Sequence, residues 1–259
     1  MSTTITTIVF DVDDTLYDAG TGLTASRNGE CAQAFMVAKL GFSSLNEAKL
    51  VRDEYFEQYH STAKALTVAE QEGRLPEMEG ASTPRFHAED LAEWWATKLD
   101  FRLLGGPNRK LQSDLKECPL QLVAFSNGPR KYVIRVLNEL GLWELFGEER
   151  LFAVDDVLPH CKPEKEAFQK IFDKLGIKAE QCIMVDDSIK NIRQAKELGM
   201  KTVLIDGDKN KAAKTSEDTK GNHGDLPNGL DLSIDISMDS INQFRERLPG
   251  LWKMTPHFP

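Results

Sequence analysis

Two carboxylates, Asp11 and Asp13, close an apolar run that begins at Ile5, within the string Ile8-Val-Phe-Asp-Val-Asp-Asp-Thr-Leu-Tyr-Asp18. One carboxylate in such a pair can attack phosphorus, the other can carry a proton, and together they can hold a magnesium ion. Three further clusters have matching chemistry: Ser126-Asn127-Gly128, Lys162-Pro163, and Asp186-Asp187-Ser188 with Asn191 beyond. Taken singly, each has a plain explanation as a turn, a helix cap or a solvated lysine. Taken together they form a set. A phosphate monoester is a dianion that repels an anionic nucleophile, so attack needs neutralisation by a metal and a cation such as Lys162. The Ser126 hydroxyl and nearby backbone N–H groups can hold the equatorial oxygens. Asp186 and Asp187 add the negative charge that fixes a metal.

Each cluster follows a short apolar run, and these runs are the elements that must position it. Ile5–Phe10, Gln121–Phe125, Leu151–Val154 (weaker), Cys182–Val185, Thr202–Ile205 and Leu232–Ile236 read as buried strands. Helical patterns lie between them. Val133, Val136, Leu137 and Leu140 share one face, with Gly141 as the stop. Ala167, Phe168, Ile171, Phe172 and Leu175 line a helix that Pro163 opens and Gly176 closes, and Ile189, Ile192, Ala195 and Leu198 line another ended by Gly199. This alternation predicts an α/β fold with a doubly wound parallel sheet. Residues 19–104 contain no convincing strand. They give an all-helical insert: a capping box at Ser44–Glu47 leading into Leu50, Val51, Tyr55, Tyr59, Ala63 and Leu66, a loop over 72–87, and a helix over 88–99. Adjacent helical positions diverge by about 100°, so at most one of Trp94 and Trp95 faces a cleft, and packing inside the insert is the expected role of both. The predicted organisation is a core of 1–18 and 105–259, a helical cap of 19–104, and a polar, flexible surface loop over 206–230.

The formal charge of −9 argues against a nucleic-acid polymer or an anionic membrane as partner. No apolar run is long enough to span a membrane, and the N-terminus enters the first strand too early for a leader. Cys31, Cys118, Cys161 and Cys182 are scattered, the pattern of reduced thiols in a cytoplasmic protein. Cys161 adjoins Lys162, which can activate a thiol, but an inert thiol is the expected state. Oligomeric state is not legible.

The set Asp11-x-Asp13-x-Thr15, Ser126, Lys162 and Asp186-Asp187-Ser188-x-x-Asn191 resembles the four signatures of the haloacid dehalogenase superfamily. The resemblance implies a Rossmann-like core with a cap inserted after the first strand, and Mg²⁺ as cofactor. It implies Asp11 as nucleophile, becoming an aspartyl-phosphate, and Asp13 as general acid/base that also binds the metal through its backbone carbonyl. It makes Ser126, Asn127 and Lys162 phosphate ligands, with Thr15 and Asn191 in support. Asp187 takes the metal-binding Asp position, and Asp186 ligates directly or through water. Dehalogenase members lack the second Asp, so Asp13 implies phosphoryl transfer. Response-regulator receivers place their paired Asp first and are smaller. Phe10-Asp-x-Asp-x-Thr-Leu-Tyr17 and Tyr55-Phe-Glu-Gln-Tyr59 resemble the pyrimidine 5′-nucleotidase branch of fungi and plants, although that branch usually has glycines at the positions of His60 and Ala65. The implied activity is a phosphomonoesterase acting on a small phosphorylated substrate, a nucleoside 5′-monophosphate first. A sugar phosphate, phosphoglycolate or a phosphorylated cofactor is the alternative, and a phosphomutase or a non-enzymatic interaction protein stands behind these.

Overall fold

A computed structural model describes residues 4–78, 80, 84–207, 231–253 and 255–259. Most of the predicted 206–230 loop lies outside the described residues. Six parallel strands form one sheet: β1 (Thr7–Phe10), β2 (Gln121–Phe125), β3 (Leu151–Phe152), β4 (Cys182–Asp186), β5 (Lys201–Ile205) and β6 (Ile236–Met238). Their order is β3-β2-β1-β4-β5-β6. The chain runs outward from β1 to β3, then returns to place β4 on the other side of β1. The strand order therefore reverses at β1, and a crevice opens beyond the carboxyl ends of β1, β2 and β4. Register is even, with Phe10 opposite Ala124 on one side and Val185 on the other.

Both faces of the sheet are covered. Ile8, Phe10, Leu122, Ala124, Ile183 and Val185 belong to one cluster, and Val9, Val123, Phe125, Cys182 and Met184 to the other. This two-residue alternation, with both sides apolar, is why the strands read as continuous hydrophobic runs. Phe10 packs edge-on against Phe146 and Phe244, and Phe125 against Phe168.

Helices Arg130–Glu139, Lys165–Leu175 and Ile189–Glu197 bury the predicted faces, and Gly141, Gly176 and Gly199 end them with positive φ. Pro163 does not open its helix: Glu164 is the N-cap. Two strand expectations shift. Leu232 is 75% exposed because Asp231 accepts from the backbone N–H of Ser233 and starts a turn, so β6 begins at Ile236. β3 stops at Phe152, since Asp156 accepts from the Ala153 N–H and begins a helical turn at Val154.

The insert between β1 and β2 is helical as expected, with main helices Ala32–Leu40, Leu45–Tyr59, Thr62–Gln71 and Ala88–Lys98. Ser44 caps the second by accepting from Glu47 N–H, but the Glu47 carboxylate turns back to Ser43 instead of to Ser44. The pattern from Leu50 to Leu66 is two helices, not one. His60 adopts a left-handed conformation (φ 51°), and Ser61 N-caps the next helix. Among the described residues no helix is long and apolar enough to cross a membrane.

Candidate active site

Asp11 continues the β1 ladder through its N–H to Val185 O (2.8 Å). Its carboxylate meets the Lys162 ammonium at 2.6 Å. Lys162 spends its other two protons on Asp186 (2.8 Å) and the Phe125 carbonyl (2.7 Å). The lysine is 1% exposed, so three fixed bonds replace its hydration. Burial works against its charge, but Asp11 and Asp186 outweigh burial and raise its pKa above the ordinary lysine value. Asp11 moves the other way on the charge scale. Burial, opposed by Lys162 but reinforced by Asp186, Asp187 and Asp13, lifts its pKa well above the usual carboxylate range.

Beyond β1 the chain bends at Asp14, whose φ of 59° is tolerable for a short polar side chain. The bend brings Asp13 back over the sheet. Its Oδ1 accepts from the hydroxyls of Tyr17 (2.7 Å) and Tyr132 (2.6 Å), and its Oδ2 from Arg27 (2.5 Å) and Ser126 (3.3 Å). Burial opposes ionisation here too, but Arg27 and the two tyrosines prevail and hold Asp13 below its ordinary value. A Cβ at Gly128 would lie 3.1 Å from the Tyr132 ring and 3.2 Å from Ser126 Oγ. The bare backbone there lets both groups close on Asp13.

The remaining predicted residues converge on the same edge. Asn127 splices two loops, accepting from Lys162 N–H (2.9 Å) and donating to Lys162 O (2.8 Å). Ser126 is fully buried and accepts from the Gly128 N–H. Asn191 donates to both Asp186 oxygens at 3.0 Å, and Ser188 N–H adds a bond at 2.8 Å. Asp186 is thus encased, while Asp187 is half-buried and lines the cavity. Thr15 is buried with its hydroxyl unpartnered among the described residues. Asp11, Asp186 and Asp187 each bring a carboxylate oxygen within 4.8 Å of the others. This all-oxygen, anionic donor set fits a hard divalent cation.

Sequence reasoning missed the cap's contribution. Arg27 sits in an irregular turn, 5.3 Å from the Trp95 ring centre and 4.8 Å from that of Tyr132. Nothing in the local pattern marks it, because no periodicity holds where the helix is broken. Tyr17 was visible as the end of the first motif, without a role. Of the two tryptophans, Trp95 lines the cavity, whereas Trp94 donates to Cys31 O and packs against Phe35. Ser61 donates to Asn127 O, and Lys64 pairs with Glu164, so the cap is docked on the catalytic loops. Burial pushes the Cys161 thiol up to about 11, and its Sγ donates to Tyr59 O.

The cavity enclosed by cap and sheet edge has a volume of about 160 Å³. A family model described as haloacid dehalogenase-like hydrolase matches residues 5–199. Phosphoglycolate phosphatase of Pseudomonas savastanoi pv. phaseolicola is 24% identical over 57% of this chain and 55% of its own length, so the chain spans about half of that relative. Glyceraldehyde 3-phosphate phosphatase of Methanocaldococcus jannaschii is 26% identical over 76% of this chain and 83% of its own. Among solved structures, a HAD phosphatase from Thermococcus onnurineus superposes with a TM-score of 0.57 at 20% identity, covering 95% of this chain and 99% of that one. That likeness speaks to the fold. With the match extending from before β1 to the end of the β4–β5 connection, and with all four clusters meeting at one sheet edge, the chain belongs to the haloacid dehalogenase-like hydrolase family.

Proposed function

We propose that this protein is a Mg²⁺-dependent phosphomonoesterase that works through an aspartyl-phosphate on Asp11. The observation that carries it is the pairing of a lysine-held carboxylate with a second carboxylate wrapped in hydroxyls, beside a cluster of oxygen donors. Asp11 attacks phosphorus in line with the leaving oxygen. Lys162 orients the carboxylate and offsets the charge that gathers on the phosphoryl oxygens. Asp13 is ionised in the resting site, so the proton it passes to the leaving oxygen as the P–O bond breaks is one carried in on the monoanionic phosphate ester. Asp13 then takes a proton from the water that attacks the phosphoenzyme, which frees Asp11 and inorganic phosphate. Ser126 contacts the phosphate, and Asn127 sets the lysine loop. Bound Mg²⁺ would supply further charge neutralisation, held by Asp11, the Asp13 carbonyl and Asp187. Asp186, with four hydrogen bonds on its carboxylate, orients Lys162 and the following loop. Cap segments 17–22 and 102–107 are the hinges through which 19–104 closes and excludes water.

The substrate is a short phosphate ester whose leaving group carries a carboxylate or carbonyl, in preference to the nucleoside monophosphate expected first. The curated relatives are phosphatases of such esters. A cavity of about 160 Å³ falls below the roughly 300–1,000 Å³ of sites for larger ligands. One face of each cavity aromatic is also covered: Arg27 lies over Trp95, and Arg52 lies 3.9 Å from the Phe56 ring centre. The test is phosphate release from phosphoglycolate, glyceraldehyde 3-phosphate and uridine 5′-monophosphate, with Mg²⁺ and with EDTA. Turnover of the short esters, abolished by EDTA and by Asp11→Asn, is the expected result. Faster turnover of the nucleotide would overturn the substrate assignment, and full activity in Asp11→Asn would overturn the mechanism.

A further inference from the structure

The basic side chains near the cavity are not equivalent. Lys162 is matched by Asp11 and Asp186, Arg27 by Asp13, and Lys64 by Glu164. His60 and Lys190 instead face each other, Nε2 to Nζ at 2.7 Å, and neither forms an ion pair with a carboxylate among the described residues. His60 comes from the cap and lines the cavity, whereas Lys190, on the first turn of the core helix Ile189–Glu197, is exposed at its rim beside His60. His60 also occupies the left-handed position that ends Leu45–Tyr59, where glycine is the least strained residue. A side chain retained at such a position is a pointer to use. Its ring lines the cavity, edge-on to Phe56. Burial and then the Lys190 charge depress its proton affinity, with Glu57 opposing them more weakly. Two residues on, Thr62 lines the same cavity. It is 2% exposed, and its hydroxyl has no hydrogen-bond partner among the described residues. A buried hydroxyl left in that state is destabilising until an acceptor reaches it.

We infer that His60, Lys190 and Thr62 form a subsite for a second anionic group, a carboxylate on the leaving-group side of the substrate. This rests on the phosphomonoesterase reading and deepens it. A carboxylate placed there joins the Lys190–His60 contact in a charge-assisted cluster and gives the Thr62 hydroxyl an acceptor. Because His60 and Thr62 belong to the cap and Lys190 to the core, the subsite is complete only with the cap docked. Recognition of the leaving group is thereby tied to closure over Asp11.

The test separates binding from turnover. Full-length protein with Mg²⁺ is titrated with phosphonoacetate and with methylphosphonate, non-hydrolysable anions that differ by one carboxylate. The wild type is expected to bind phosphonoacetate about tenfold or more tightly, the scale of one charge-assisted contact. His60→Gln and Lys190→Gln should each remove most of that preference, and Thr62→Val about threefold of it. His60→Gly relaxes the left-handed backbone, so a lost preference in that variant reports the imidazole and not misfolding. Equal binding of the two anions by the wild type, or an undiminished preference in all the variants, overturns the subsite. Phosphate release from p-nitrophenyl phosphate by the wild type is measured alongside. Its absence overturns the phosphomonoesterase reading and leaves the binding comparison intact.

Discussion

The sheet edge and the inner face of the cap both deliver charged groups to one cavity, but they hold them in opposite ways. At the edge, Asp11, Ser126 and Asp186 sit where strands end, and Lys162 reaches in from the loop ahead of Lys165–Leu175. Lys162 has three fixed partners and Asp186 is bonded on both oxygens. On the cap, Arg27 comes from an irregular turn and His60 from a left-handed residue between two helices. The edge is overdetermined, as a site must be when its geometry sets a reaction rate. The cap places its side chains at breaks in regular structure, where one substitution re-aims a group without disturbing a helix face. On the proposed function, chemistry is anchored in the regular part of the fold and selectivity is hung on its irregularities.

The largest effect that can break this contrast lies at Asp11. Asp11→Asn should lower phosphate release by at least about 10⁴-fold, the scale seen when a nucleophile is removed. Because burial lifts the Asp11 pKa in the folded protein, its ionised form opposes folding at neutral pH. The same variant should therefore melt about 2–4 °C higher, near 1 kcal/mol. A fall in its melting temperature would mean that the Lys162 bond outweighs burial. Lys162→Met does the reverse: it leaves Asp11 and Asp186 facing each other unpaired in the interior, and should cost about 3–5 kcal/mol by urea unfolding.

The next prediction sharpens the edge itself by separating the two neighbouring aspartates. Asp187→Asn should raise the Mg²⁺ concentration needed for half-maximal activity by about 10–100-fold with little change in melting. Asp186→Asn should chiefly lower the melting temperature, since it disturbs bonds to Lys162, Asn191 and Ser188. If metal dependence moved only in Asp186→Asn, the division between the two would be reversed.

The same contrast governs what could be read from sequence. Asp11, Ser126 and Asp186 stand at or just after strand ends, where a two-residue apolar period stops, and Lys162 stands ahead of a strongly amphipathic helix. Their types and order were therefore legible. A further contact of Asn127 was not, because only the fold brings the Lys162 backbone alongside its side-chain amide. Arg27 and His60 reach the cavity, and Tyr132 reaches Asp13, through long-range packing that leaves no local trace. The break at His60 was hidden for a related reason: Tyr59 and Ala63 keep helical spacing across it, so the apolar pattern runs on while the backbone turns.

Acid titration tests Asp13, a carboxylate that cap and edge share. Asp13 is held below its ordinary value of 3.8, against burial, by Arg27 and two tyrosines. Its contribution to stability is complete above that value and is lost as pH falls through the depressed folded pKa. The stability difference between wild type and Asp13→Asn, read from urea midpoints, should be largest near pH 7 and shrink below pH 4. A difference that grew toward acid would mean that the Arg27 contact does not hold Asp13 ionised.

The smallest effect belongs to the outer clasp between the two regions. Lys64 is buried at the start of its helix, and its ammonium meets Glu164, the N-cap of Lys165–Leu175. The glutamate side chain is 37% exposed, so solvent screens the attraction, and the pair is worth about 0.5–1 kcal/mol. Glu164 also accepts from Cys161 N–H, one residue before Lys162, and the Lys64 ammonium lies 5.3 Å from the Tyr59 ring centre. Lys64→Met keeps the stem's packing and removes the charge. Melting should drop by about 1–3 °C, while kcat should fall more than that loss explains, because Glu164 is freed to shift the loop that aims Lys162. Glu164→Gln keeps the acceptor for Cys161 and should retain most of kcat at a similar loss of stability. Equal kcat in the two variants would reduce the clasp to an ordinary surface ion pair and confine control of Lys162 to the sheet edge.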